Sequence, residues 1–185
     1  MKDSIKGEVL TYRLLKGKLF VKSPLTGWSR VEDYCTYISM FPTIYPTHKE
    51  AKRRGYEAHH VTPKSVQKAV YDEVTDDSCI RVTPFEHFIA HWLLAKECDE
   101  GESMLHYLGL GKLILCEESE RRFIYKLCGD KWRGAYAIYL KTFELTGKKY
   151  METRTPEELA DLIIGLRGKT RREIIHWLET PVQDS

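Results

Sequence analysis

Arg53-Arg54-Gly55-Tyr56-Glu57-Ala58-His59-His60-Val61-Thr62-Pro63 and, further on, Cys79-Ile80-Arg81-Val82-Thr83-Pro84-Phe85-Glu86-His87-Phe88-Ile89-Ala90-His91-Trp92-Leu93-Leu94-Ala95-Lys96 are the two runs that decide how this chain folds. Four of its seven histidines lie in them, one pair adjacent and one pair four apart. Side chains four apart on a helix leave the same face, one turn from each other. Two imidazoles so placed can reach one metal ion. On an extended segment, neighbours point to opposite faces. His59 and His60 are therefore expected to do different jobs: one joins the metal, the other faces a substrate.

The joint before the second run has its own signature. Thr83-Pro84-Phe85-Glu86 reads as a capping box, with Thr83 as N-cap, proline at the first helical position and the acid at the third. The helix is expected to run from Pro84 to about Glu97, with Phe88, Trp92, Leu93 and Ala95 on an apolar side. Cys79-Ile80-Arg81-Val82 is short, apolar and partly β-branched, so it reads as a strand. The connection from Thr62 to Asp77 reads as a loop, long enough to need a functional reason.

A strand with two histidines, a loop, a second strand and a helix with two histidines resembles the HNH nuclease family, whose ββα-metal unit has that order. The likeness covers about forty residues. His87 to Leu94 is similar to the HNH endonucleases of phages, including free-standing homing types. The Arg53–His60 approach and Ile80–Thr83 look like the nuclease domains of DNase colicins. The resemblance implies an α+β fold with a central ββα-metal unit. It also implies a divalent metal (Mg2+ or Mn2+, with Zn2+ or Ni2+ as alternatives) held by His59, His87 and His91. His60 falls on the general-base position. Arg53 and Glu57 fall where related domains line the scissile phosphate; two readings stand side by side, an Arg53 that grips a phosphate oxygen with Glu57 orienting it, and a plain surface ion pair. The family's middle Asn falls on Ser78, a poor ligand whose hydroxyl can replace only part of a bracing role.

The rest of the chain bounds these expectations. Its 185 residues, 42% hydrophobic and 30% charged, are those of a globular protein with a real core. The net charge of +2 excludes a generic polycation, so phosphate contacts must come from local patches. Lys52, Arg53 and Arg54 form one beside the histidine pair, and Lys169, Arg171 and Arg172 form another. Five scattered cysteines without CxxC spacing argue for reduced thiols. No apolar run approaches the ~20 residues of a membrane span, and Met1-Lys2-Asp3-Ser4 leads into no signal-peptide core. A cytoplasmic location, no membrane contact and a monomer are expected.

Three regions are expected. Residues 1–46 carry a β-hairpin through Lys16-Gly17, a second turn at Pro24–Gly27 and a short aromatic helix within Val31–Met40. Residues 47–120 hold the nuclease core and a further helix over Ser103–Cys116. Residues 121–185 are helical, with candidates over Trp132–Leu145 and from Thr155, and a glycine turn that resembles a helix-turn-helix.

Phosphodiester hydrolysis needs an activated water, an offset for charge on phosphorus and help for the leaving oxygen. Histidine meets the first need at neutral pH and a divalent metal the other two. The function expected is a metal-dependent endonuclease acting on double-stranded DNA. A catalytically weakened DNA-binding protein of the same fold is the alternative, and a structural zinc module a third.

Overall fold

The polypeptide enters as an antiparallel meander. In the computed structural model, which describes residues 4–75, 77–97, 112 and 115–129, four strands follow one another: β1 (Ser4–Lys6), β2 (Thr11–Leu15), β3 (Lys18–Ser23) and β4 (Gly27–Arg30). Between β2 and β3, Lys16 (φ 51°) and Gly17 (φ 73°) are both left-handed. This is the turn whose twist matches a tight hairpin. The register sets Tyr12 opposite Val21 and Leu14 opposite Leu19. Period-two alternation then buries Leu10, Tyr12, Leu19 and Val21 on one face. The expected hairpin is thus the centre of a larger sheet. β1 and β4 are too short to show alternation in the sequence, and they join through backbone pairing with β2 and β3.

Among the described residues, five helices follow or flank the second, two-stranded pair. They are α1 (Tyr34–Ser39), α2 (His48–Ala51), α3 (Lys64–Tyr71), α4 (Pro84–Glu97) and α5 (Glu118–Cys128). Asp33 caps α1 by accepting from the Thr36 amide at 2.7 Å, and Thr47 caps α2 by accepting from the Glu50 amide at 3.2 Å. The strands β5 (Glu57–His60) and β6 (Cys79–Val82) pair antiparallel, with His60 opposite Cys79 and Glu57 opposite Val82. The segment expected as a loop between them contains α3. Val66 and Val70 stand four apart in it, at helical spacing, and Gln67 is buried, donating to the Thr62 carbonyl at 2.7 Å and accepting from the Thr75 amide at 2.8 Å.

The capping box at the start of α4 forms as read. Glu86 Oε2 accepts from the Thr83 amide at 2.8 Å, and Thr83 Oγ1 accepts from the Glu86 amide at 3.1 Å. The helix itself is buried from Phe85 through Ala95, on all sides rather than on one. Phe85 meets Tyr12 edge-on at 4.9 Å and Phe123 at 5.5 Å between ring centroids. One hydrophobic cluster therefore joins the meander, α1, β6, α4 and α5, with members from Leu10 to Ile124.

The architecture is α+β: a small antiparallel meander, a separate strand pair and helices around a central helix. No helix among the described residues is long and apolar enough to cross a membrane. The expected helices over Trp132–Leu145 and from Thr155, with Lys169, Arg171 and Arg172, lie outside the described residues, as does most of Ser103–Cys116.

Candidate metal centre

Alternation along β5 sorts its four residues into two faces. Glu57 and His59 point towards α4, and Ala58 and His60 point towards α2. On the α4 side, His87 and His91 rise one turn apart, their rings stacked at 4.8 Å and 21°. His59 faces both edge-on, at 4.8 Å from His87 and 5.1 Å from His91. One nitrogen from each of the three lies within 4.8 Å of the others, a grouping that could hold a metal ion. The three predicted ligands are thus brought together.

Burial and mutual proximity keep these imidazoles neutral. Desolvation pushes His59 and His91 well below the ordinary histidine range, and neighbouring imidazoles push them further. His87 is lowered too, chiefly by burial, although its bond to Glu57 opposes the shift. Neutral imidazoles keep a lone pair free for a cation. His91 Nδ1 is buried without a hydrogen-bond partner among the described residues. Such an atom is costly in a finished core. An all-nitrogen donor set fits a divalent transition ion such as Zn2+ or Ni2+ better than Mg2+, which prefers oxygen.

Glu57 supports this group. Its Oε2 lies 2.7 Å from His87 Nδ1, and its Oε1 accepts from Lys112 Nζ at 2.8 Å. Burial alone would raise this carboxyl, but the His87 bond and the Lys112 ammonium outweigh it and hold it down to about 2. A carboxylate on Nδ1–H fixes the tautomer and turns Nε2 inward, an arrangement typical of metal-ligating histidines. This corrects one expectation. Both Glu57 oxygens serve His87 and Lys112, so Glu57 does not orient Arg53. Arg53 is exposed at the tight turn before β5, where its carbonyl accepts from the Tyr56 amide at 2.8 Å. Gly55 takes a left-handed φ of 83° in that turn.

On the other face, the ring of His60 stacks on His48 of α2 at 5.6 Å and 25°. Lys49, Lys52, Arg53 and Arg54 are exposed in α2 and the segment that joins it to β5. Arg81 ties β6 to this side, donating to the Ala51 carbonyl at 2.7 Å and the Glu50 carbonyl at 3.1 Å. Ser78, by contrast, is not among the clustered side chains. It is exposed, has a left-handed φ of 52°, and lines an open cavity with Thr62, Gln67, Tyr71, Thr75 and Asp77. Its carbonyl accepts from the Val61 amide at 2.8 Å, which anchors the end of β5.

Three site residues escape sequence reasoning. Tyr34 Oη lies 2.8 Å from His59 Nε2, His48 stacks on His60, and Lys112 holds Glu57. Each comes from a segment distant in sequence. The only signals were the aromatic run around Tyr34 and a histidine in the basic segment. No family model matches this chain, and neither a curated protein nor a solved structure matches it.

Proposed function

We propose that this chain is a metal-dependent DNA endonuclease of the ββα-metal (HNH) type, acting on double-stranded DNA. The observation that carries this reading is the split of β5. His59 turns to His87 and His91 on α4, while its neighbour His60 turns to the opposite face. In-line hydrolysis needs such a split, because the attacking water and the leaving oxygen stand on opposite sides of phosphorus. A divalent ion on the three imidazoles supplies Lewis acidity at the phosphoryl group and stabilises the leaving oxygen. His60 takes the proton from the attacking water. Glu57 keeps His87 in the tautomer that presents Nε2 to the ion. Lys52, Arg53 and Arg54, exposed in the segment that joins α2 to β5, hold the phosphate backbone.

A second reading, a catalytically weakened DNA-binding protein of the same fold, is favoured by Ser78. At the position where the resembled family carries Asn, this residue lines the neighbouring cavity. Nicking of supercoiled plasmid, with Zn2+, Ni2+, Mn2+ or Mg2+ added singly, separates the two. The nuclease reading expects metal-dependent relaxation that falls by about two to four decades in His60→Ala and vanishes in His87→Ala/His91→Ala. Plasmid binding without cutting under all four ions would favour the second reading and refute the first.

A further inference from the structure

We infer that Tyr34 is a positioning residue that fixes the tautomer of His59, so that His59 meets its metal through Nδ1. The inference rests on the proposed metal centre and adds which nitrogen faces the ion and what holds it there.

The argument is a count of hydrogens. Tyr34 Oη has three neighbours: His59 Nε2 at 2.8 Å, the His60 carbonyl at 3.2 Å and the Val61 carbonyl at 3.0 Å. A phenol carries one hydrogen and can also accept. The two carbonyls can only accept, so the Tyr34 hydroxyl donates towards them. Its lone pair is then left for His59 Nε2, which must bring the hydrogen of that contact. A neutral imidazole has one N–H, so the lone pair of His59 resides on Nδ1.

The phenol is held in place from several sides. Asp33 caps the first turn of α1. The Tyr34 amide donates to Glu97 Oε1 at 2.6 Å, tying the start of α1 to the end of α4. The Tyr34 and His59 rings meet edge-on at 5.9 Å and 67°. Tyr34 is also buried, so water does not compete for the contact. Tyr34 thus does for His59 what Glu57 does for His87: each meets one ring nitrogen and leaves the other for a metal. By gripping the carbonyls of His60 and Val61 it also fixes the backbone that carries the proposed base.

The test reads nitrogens rather than turnover. Long-range 1H–15N spectra of the 15N-labelled chain, metal-free and loaded with Zn2+ alone, assign the protonated and metal-bound nitrogen of each imidazole. Expected is a His59 Nε2–H in both states, protected from exchange, with Zn2+ on Nδ1. Tyr34→Phe removes the acceptor. It should mix the two tautomers in the metal-free spectrum and weaken Zn2+ binding about 10- to 100-fold. Zn2+ on Nε2 of His59, or a Tyr34→Phe spectrum and affinity equal to wild type, would overturn the inference. If Tyr34→Phe does not fold, the wild-type spectra decide alone. Failure of the chain to bind Zn2+ would refute the metal centre, whereas the metal-free spectrum would still report the His59 tautomer.

Discussion

Replacing Glu57 with Gln keeps the volume of the side chain and removes its charge. In the wild type one carboxylate oxygen meets His87 Nδ1 at 2.7 Å and the other accepts from Lys112 at 2.8 Å. An amide cannot satisfy both, since it has one accepting oxygen and one donating nitrogen. If the oxygen faces His87, the amide NH2 is pressed against the Lys112 ammonium. If the NH2 faces His87, Nδ1 must accept, and the proton moves to Nε2, blocking the lone pair meant for a metal. Either way one charge-assisted bond, worth about 1.5–3 kcal/mol, is lost. The corresponding loss in metal affinity is about 10- to 100-fold. Competition for Zn2+ against a chromophoric chelator at neutral pH measures it. Lys112→Met is the control: it keeps the Glu57–His87 bond and removes a cation near three imidazoles, so affinity should hold or rise. Glu57→Gln binding Zn2+ within twofold of wild type would refute the supporting role.

Other expectations concern stability and DNA. The Glu86 carboxyl is fully buried and raised to about 7, chiefly by desolvation against the bonds it accepts. A raised folded pKa means stability that is fully present below about 4.5 and lost as pH climbs towards 7. Urea melts should show the wild type losing about 3 kcal/mol relative to Glu86→Gln between those limits; parallel pH profiles would contradict this. Ser78 has a left-handed φ of 52°, a region in which Asn is several-fold enriched. Ser78→Asn should therefore fold with stability equal to wild type or up to about 1 kcal/mol higher, and cut plasmid faster; a slower or less stable variant would argue against the family register at this position. DNA affinity should fall steeply with salt. Replacing Lys52, Arg53 and Arg54 together with Ala should flatten the log–log slope by about two to three, and an unchanged slope would place the phosphate contacts elsewhere.

What the sequence made legible was local in nature. A capping box spans four residues and an HxxxH pair one helical turn, so Thr83, Glu86, His87 and His91 could be placed before any fold was known. Alternation over β2 and β3 was equally open. What stayed hidden depends on pairing across distance. β1 and β4 carry too few residues for a period to register, and α3 is only eight residues long, although Val66 and Val70 stand four apart in it. Glu57 was singled out, but the resemblance to related domains paired it with Arg53. The actual partners, His87 and Lys112, lie thirty and fifty-five positions away. Tyr34 shows the same limit: nothing within α1 distinguishes it from Tyr37, which is buried at Tyr12 rather than at a histidine.

The placement of Glu86 explains how the N-terminal sheet bears on the histidines. Its Oε2 caps α4 through the Thr83 amide, while its Oε1 accepts from the Glu8 amide at 3.1 Å and Tyr12 Oη at 3.3 Å. A carboxyl with no exposure is expensive unless its oxygens are met by donors, and here the donors come from two different elements. The β1–β2 corner must approach closely to supply one of them. At Gly7 a Cβ would stand 1.9 Å from Glu86 Oε1, so only glycine leaves room for the contact. His87 is the next residue after Glu86 on the same first turn of α4. Fixing that turn against the meander fixes the height at which His87 faces His59 and Glu57. The N-terminal sheet therefore acts on the candidate centre as a mount, through the buried Glu86 carboxyl and the Tyr12–Phe85 contact beside it.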